Sequence, residues 1–136
     1  FIFESELLFD SGSATLQENG KNNMIQIAQT LKTITDGIPS DVNWIVQVEG
    51  HTDNVPLPPE LISKWESNWE LSTARALNVV ELLSQFSALS QDKFSAMGYA
   101  EFKPLNSNDS SEDRARNRRV EIYIDAFVTN TSWNSP

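Results

Sequence analysis

Apolar residues recur along the chain with two different periods. Met24, Ile27, Ala28, Leu31 and Ile34 are separated by steps of three and four, which predicts a helix over about residues 16–36. Gly37 and Pro39 follow as its stop. Trp44, Val46 and Val48 then alternate with Ile45, Gln47 and Glu49, the period of a strand over 44–50 with one strongly apolar face. A second helical stripe runs through Leu71, Ala74, Val79, Leu82, Leu83 and Phe86. Asn68 is its expected N-cap, with Glu70 in the first turn, where a carboxylate suits the helix dipole. Val120, Ile122 and Ile124 alternate with Glu121, Tyr123 and Asp125 and predict a last strand. Residues 1–9 and 93–98 read as two further strands.

The intervening segments lack either period. Asp10-Ser11-Gly12-Ser13 is a turn and helix-cap region. The connection 52–67 contains Pro56, Pro58 and Pro59, which excludes a central strand, and an ordinary helix over most of its length. Residues 99–117 read as a polar loop. Residues 1–127 read as one domain and the polar, aperiodic 128–136 as a loose tail. The order strand, helix, strand, helix, strand, strand implies an α+β two-layer sandwich, with two main helices on one face of a mixed sheet of about four strands.

With 136 residues, the chain suits a single core. Its net charge of −9 disfavours nucleic acid and anionic lipid as partners, so an anionic ligand needs a local cationic site. No stretch approaches the roughly 20 apolar residues of a membrane span. Phe1-Ile2-Phe3-Glu4 is not a signal peptide, and the chain starts inside a strand-like segment without Met. It therefore reads as an excised fragment, of which any signal or membrane anchor would lie upstream. The chain has no cysteine and one histidine, His51, so thiolate chemistry is excluded and a zinc site is disfavoured; neither metal nor cofactor is expected. His51, Asp53 and Ser72 contain triad residue types, but nothing resembles a nucleophile elbow or an oxyanion loop. No enzyme is expected, and His51 reads as a turn-packing or hydrogen-bonding residue.

Three segments concentrate polar residues: Glu49-Gly50-His51-Thr52-Asp53-Asn54, Asn68 to Ala76, and Arg114-Ala115-Arg116-Asn117-Arg118-Arg119. Asp53 follows a strand, where Asp also serves local turn bonding. Arg75 lies one turn after Leu71 beside apolar positions and needs an acceptor. An internal salt bridge or a snorkelling surface position would each satisfy it. At least one arginine of 114–119 reads as merely solvated. Trp65 and Trp69 are interface candidates, with core packing the favoured reading of Trp69.

In order, Gly50-His51-Thr52-Asp53, Asn68-x-x-Leu71-Ser72-x-x-Arg75-Ala76-x-x-Val79, Gly98 with Pro104, Asn108 and Arg114, and Asn117-Arg118-Arg119-Val120-Glu121 resemble the signature of OmpA-like/MotB-type domains over roughly residues 8–125. The resemblance implies peptidoglycan binding without cleavage, through the meso-diaminopimelate of the stem peptide, with Asp53 and Arg75 as the principal contacts. It implies lesser roles near the site for Thr52, Asn68, Leu71, Asn117 and Arg118, although Asn68 also suits a cap and Leu71 a core position. A carboxylate suits the ligand ammonium and a planar guanidinium its carboxylate. Backbone N–H groups near Thr52 and Asn54 are further candidate donors. The Pro-rich 55–67 segment departs from the shorter outer-membrane pattern. The Ser67-Asn68-Trp69-Glu70-Leu71-Ser72 run tilts the resemblance to the MotB-type branch. That implies a periplasmic domain whose parent is anchored in the inner rather than the outer membrane, and which is able to form homodimers. The competing expectation is a stator-type assembly domain whose main partner is protein.

Overall fold

The computed structural model describes residues 1–128. Four strands, β1 (Ile2–Glu4), β2 (Val42–His51), β3 (Phe94–Gly98) and β4 (Arg119–Val128), form one sheet in the order β1-β4-β2-β3. β4 is antiparallel to both β1 and β2, while β2 and β3 are parallel. A parallel pair needs a crossover, and α3 (Asn68–Ser87) provides it. α1 (Glu18–Asp36) packs beside α3. The core joins Met24, Ala28 and Leu31 of α1, and Ala76, Val79 and Leu83 of α3, to Val46, Val48, Val120 and Ile122 of the sheet. The α+β sandwich and mixed sheet expected from periodicity are thus observed.

Several elements differ from expectation. The first strand stops at Glu4, where Ser5–Leu7 form a 3-10 turn. Leu8 and Phe9 are both buried, although consecutive strand residues point to opposite faces. The Pro-rich connection contains a short helix, α2 (Pro59–Trp65), because Pro59 occupies its first turn, where a missing N–H does no harm. The expected polar loop 99–117 ends in α4 (Ser111–Asn117), capped by the Ser110 hydroxyl accepting from the Asp113 N–H. Glu112 and Asp113 in its first turn and Arg114 and Arg116 in its last match the helix dipole. The cap of α3 is Ser67 rather than Asn68: the Ser67 Oγ accepts from the Trp69 N–H at 3.2 Å and bonds to Glu70. Phe86 and Ile34, expected on buried stripes, are 43% exposed. Val128, assigned to the tail from sequence, closes β4 opposite Val42; the rest of that expected tail lies outside the described residues.

Two glycines bring α3 down onto the sheet. Gly50 and Gly98 face each other across β2 and β3. A Cβ at Gly50 would lie 2.9 Å from the Ser72 carbonyl carbon, and one at Gly98 would lie 2.6 Å from the Ser72 Oγ. The first turns of α3 therefore rest directly on the C-terminal ends of β2 and β3. The Ser72 Oγ fixes the contact by accepting from the Ala100 N–H at 3.1 Å. This places Leu71 and Arg75 beside the segment that leaves β2.

Candidate functional site

That segment borders a cavity of about 380 Å³. Its other walls come from four places: the stretch from Ser5 to Gly12, the Pro-rich stretch from Val55 to Leu61, the first turns of α3, and the arginines at and just after α4. α2 holds the outer wall in place. The Trp65 Nε1–H donates to the Gly12 carbonyl at 2.8 Å, so Trp65 is a strut of the wall rather than a free aromatic.

Asp53 and Arg75 both line this cavity and both are buried, at 7% and 6% exposure. Asp53 Oδ1 accepts from the Val55 N–H at 3.0 Å, and Oδ2 accepts from Arg118 Nη1 at 2.6 Å. Arg118 also binds Glu6, with its Nε 2.7 Å from Oε1. Burial opposes the Arg118 charge, but the bonds to Asp53 and Glu6 outweigh it and raise its pKa.

Arg75 is neither the salt-bridged nor the snorkelling arginine that the sequence allowed. Its Nε donates to the Ser13 carbonyl at 2.8 Å and its Nη2 to the Asp10 carbonyl at 3.4 Å. Its guanidinium sits 4.9 Å from the centre of the Phe9 ring. Among the described residues no carboxylate lies within ion-pair distance of it. Burial pushes its pKa down to about 10; Glu6 pulls it back up and Arg118 adds to the depression. It remains a cation at neutral pH, with donor capacity left over.

The remaining expected residues divide. Thr52, Asn68, Leu71 and Arg118 line the cavity. Asn68 is a wall residue, its Nδ2 donating to the Val55 carbonyl at 3.2 Å. Leu71 is both core-packed, at 4% exposure, and part of the lining. Asn54 is exposed and off the cavity, and Asn117 is a loop staple rather than a lining residue. Asn117 Oδ1 accepts from the Leu105 and Asn106 N–H groups, and its Nδ2 donates to the Asn106 carbonyl and to Asn108 Oδ1. The backbone donors anticipated near Thr52 and Asn54 are already engaged, by the Ala100 carbonyl and by Asn108 Oδ1. Of the arginine cluster, Arg116 is the solvated member, paired among the described residues only with Asp113. Arg119 binds Glu121 on the sheet face away from the helices. Glu6, Phe9 and Asp10 line the cavity without having been expected there, and so does Arg114, which the sequence marked in the arginine cluster and the motif without giving it a role at the site.

One other expectation changes, that for Trp69, while His51 has the hydrogen-bonding role expected of it. Trp69 is 47% exposed and stacks on Phe102 at 5.3 Å, so it is not a core residue. His51 lies on the open sheet face, stacked on Tyr99 at 5.2 Å and bonded to Glu49 at 3.2 Å. Glu49, His51 and Glu121 are close enough to share a cation, but Glu121 is already held by Arg119 and Tyr123. Ser72 Oγ is engaged with Trp69 and Ala100, so the triad residue types do not meet.

Comparison with known proteins gives one consistent result. The chain is 37% identical to motility protein B of Bacillus subtilis over 121 residues, 89% of this chain and 42% of that protein. It superposes on the periplasmic domain of Helicobacter pylori MotB with a TM-score of 0.75 at 27% identity, covering 98% of this chain and 85% of that one. The cell wall anchor of the Pseudomonas aeruginosa T6SS gives a TM-score of 0.75 at 33% identity, covering 95% and 80% of the two chains. The chain spans half or less of the length of the curated relatives it matches first. Among the described residues no helix is long and apolar enough to cross a membrane. A family model of the OmpA family matches residues 8–118, and the chain belongs to that family, as a domain of the MotB periplasmic type.

Proposed function

We propose that the chain is the wall-facing, periplasmic domain of a membrane-anchored, stator-type protein, and that it grips peptidoglycan non-covalently through the diaminopimelate of the stem peptide. The observation that carries the reading is Arg75: a buried guanidinium on a cavity wall with no carboxylate partner among the described residues, in a hollow it shares with Asp53. The free end of diaminopimelate bears an ammonium and a carboxylate on one carbon. Asp53 takes the ammonium and Arg75 the carboxylate, by charge-assisted hydrogen bonds. A lysine-type stem lacks that carboxylate and leaves Arg75 without its partner, at a cost of about 1–3 kcal/mol. The likeness to a protein described as a cell wall anchor supports this reading.

A second reading makes protein the main partner. The likeness to motility protein B and the exposed Trp69–Phe102 pair support it. Co-sedimentation with purified sacculi, set beside binding to candidate flagellar proteins, separates the two. On the wall-binding reading the parent pellets with sacculi, while folded Asp53→Ala and Arg75→Ala stay in solution. Pelleting of both variants like the parent rejects the site.

A further inference from the structure

We propose that Arg114 gives the cavity a second carboxylate position, so that its preferred ligand is a stem peptide ending at diaminopimelate with both carboxylates of that residue free. The inference rests on the peptidoglycan reading above and sharpens the ligand.

Three guanidinium groups line the cavity, and they are not equivalent. Arg118 is neutralised by Glu6 and Asp53. Among the described residues Arg75 and Arg114 hydrogen-bond only to backbone carbonyls: Arg114 Nη1 donates to the Asn108 carbonyl at 3.0 Å, and no carboxylate pairs with either. A guanidinium carries five N–H donors, so one carbonyl bond leaves Arg114 most of its capacity. It is half-buried in the last turn of α4, and its bond to the Asn108 carbonyl holds it in place. On the acidic side, Asp53 is shared with Arg118, and Asp10 lines the rim, exposed and without an ion pair among the described residues. The cavity thus offers two cations free of carboxylate partners in a chain of net charge −9.

The two unpaired guanidinium groups match a ligand with two carboxylates and one ammonium. A diaminopimelate residue at the end of a stem has that charge set. When the stem continues, or when the terminal carboxyl is amidated, the second carboxylate becomes a neutral amide. Arg114 then keeps its charge but faces a neutral carbonyl, and the ion pair with a carboxylate is lost. Asp53 and Arg75 are indifferent to that change, because they hold the other end of the residue.

Two synthetic tripeptides test this: L-alanyl-γ-D-glutamyl-meso-diaminopimelate with its C-terminal carboxyl free, and the same peptide as the C-terminal amide. Calorimetry on the parent is expected to show about tenfold tighter binding of the free acid. Arg114→Gln is expected to bind both within about twofold of each other, at the parent's affinity for the amide, and Arg114→Lys to regain part of the preference. The ratio within one protein is insensitive to a modest loss of folded fraction. Equal binding of the two peptides by the parent, or a preference that survives in Arg114→Gln, overturns the proposal while leaving the Asp53–Arg75 site standing. Binding of neither peptide by the parent overturns the peptidoglycan reading and this proposal together.

Discussion

Replacing Gly50 by alanine perturbs the site without touching any group that faces the cavity. The new Cβ would lie 2.9 Å from the Ser72 carbonyl carbon, with the carbonyl oxygen nearer still, against ordinary contact at 3.4 Å or more. The obstacle is helix backbone, so no rotamer change relieves it; α3 has to lift off β2 by roughly 1 Å. Overpacking of this kind destabilises by about 1–3 kcal/mol, and a backbone clash belongs near the upper end. In a domain of this size that corresponds to a fall in Tm of roughly 10 °C. The same lift carries Leu71 and Arg75 away from Asp53, so binding of diaminopimelate weakens by about tenfold or more even where the variant is folded. Gly37→Ala is the control: Gly37 has φ −86°, and a Cβ there meets the Ile34 carbonyl at an ordinary 3.4 Å. Thermal melts by circular dichroism and calorimetry below the melting range check both halves. A Gly50→Ala variant that melts with the parent, or that melts lower yet binds as well as the parent, refutes the argument that this glycine seats the helix that positions Arg75.

Two further outcomes follow from the geometry. Burial, helped by Arg119, lowers the pKa of His51 from its ordinary 6.5 against the opposing pull of Glu49 and Glu121. Below 6.5 the unfolded chain takes up a proton that the folded chain resists, so stability is constant above that pH and declines as pH falls through it toward the folded value. The lowered pKa of Glu121, which its bonds to Tyr123 and Arg119 hold down against burial, acts only below its own ordinary 4.5, so the two limbs are separable. Urea titrations across pH are expected to show the upper limb in the parent and not in His51→Gln. Asn117→Ala, which strips the Leu105 and Asn106 N–H groups of their acceptor, is expected to lower stability by about 2–4 kcal/mol, and Asn54→Ala by less than about 0.5 kcal/mol, in chemical denaturation.

The elements legible from sequence are those with one continuous buried face, together with the short β3, which was read at 93–98. α1, β2, α3 and β4 each carry one, and their periods identified them. The start of the chain was misread because Leu8 and Phe9 enter the core together from a turn, which no strand period allows. α4 was missed because it has no apolar stripe; the Ser110 cap and charges matched to its dipole hold it, and neither leaves a periodic trace. α2 hid behind prolines that suit a first helical turn as well as they suit a loop.

The candidate site divides the same way. Asp53 and Arg75 were expected from the family resemblance, and Thr52, Asn68, Leu71 and Arg118 came with them. Asn117 shared that motif but serves the loop at 105–108 instead. Glu6, Phe9 and Asp10 reach the cavity across separations of about 60 residues, as in the bond from Arg75 to Ser13, and no local pattern encodes such proximity. Arg114 did have a signal. It stands four residues before Arg118, one helical turn, so reading 111–117 as helix would have placed both guanidinium groups on one side.

The most direct test of the central claim is an NMR titration of the labelled domain with meso-diaminopimelate and, separately, with lysine. The account predicts saturable shifts at Asp53, Val55 and the Arg75 guanidinium with the first ligand, and none of comparable size with the second. Equal responses to the two ligands, or shifts confined to the Trp69–Phe102 surface, would contradict it.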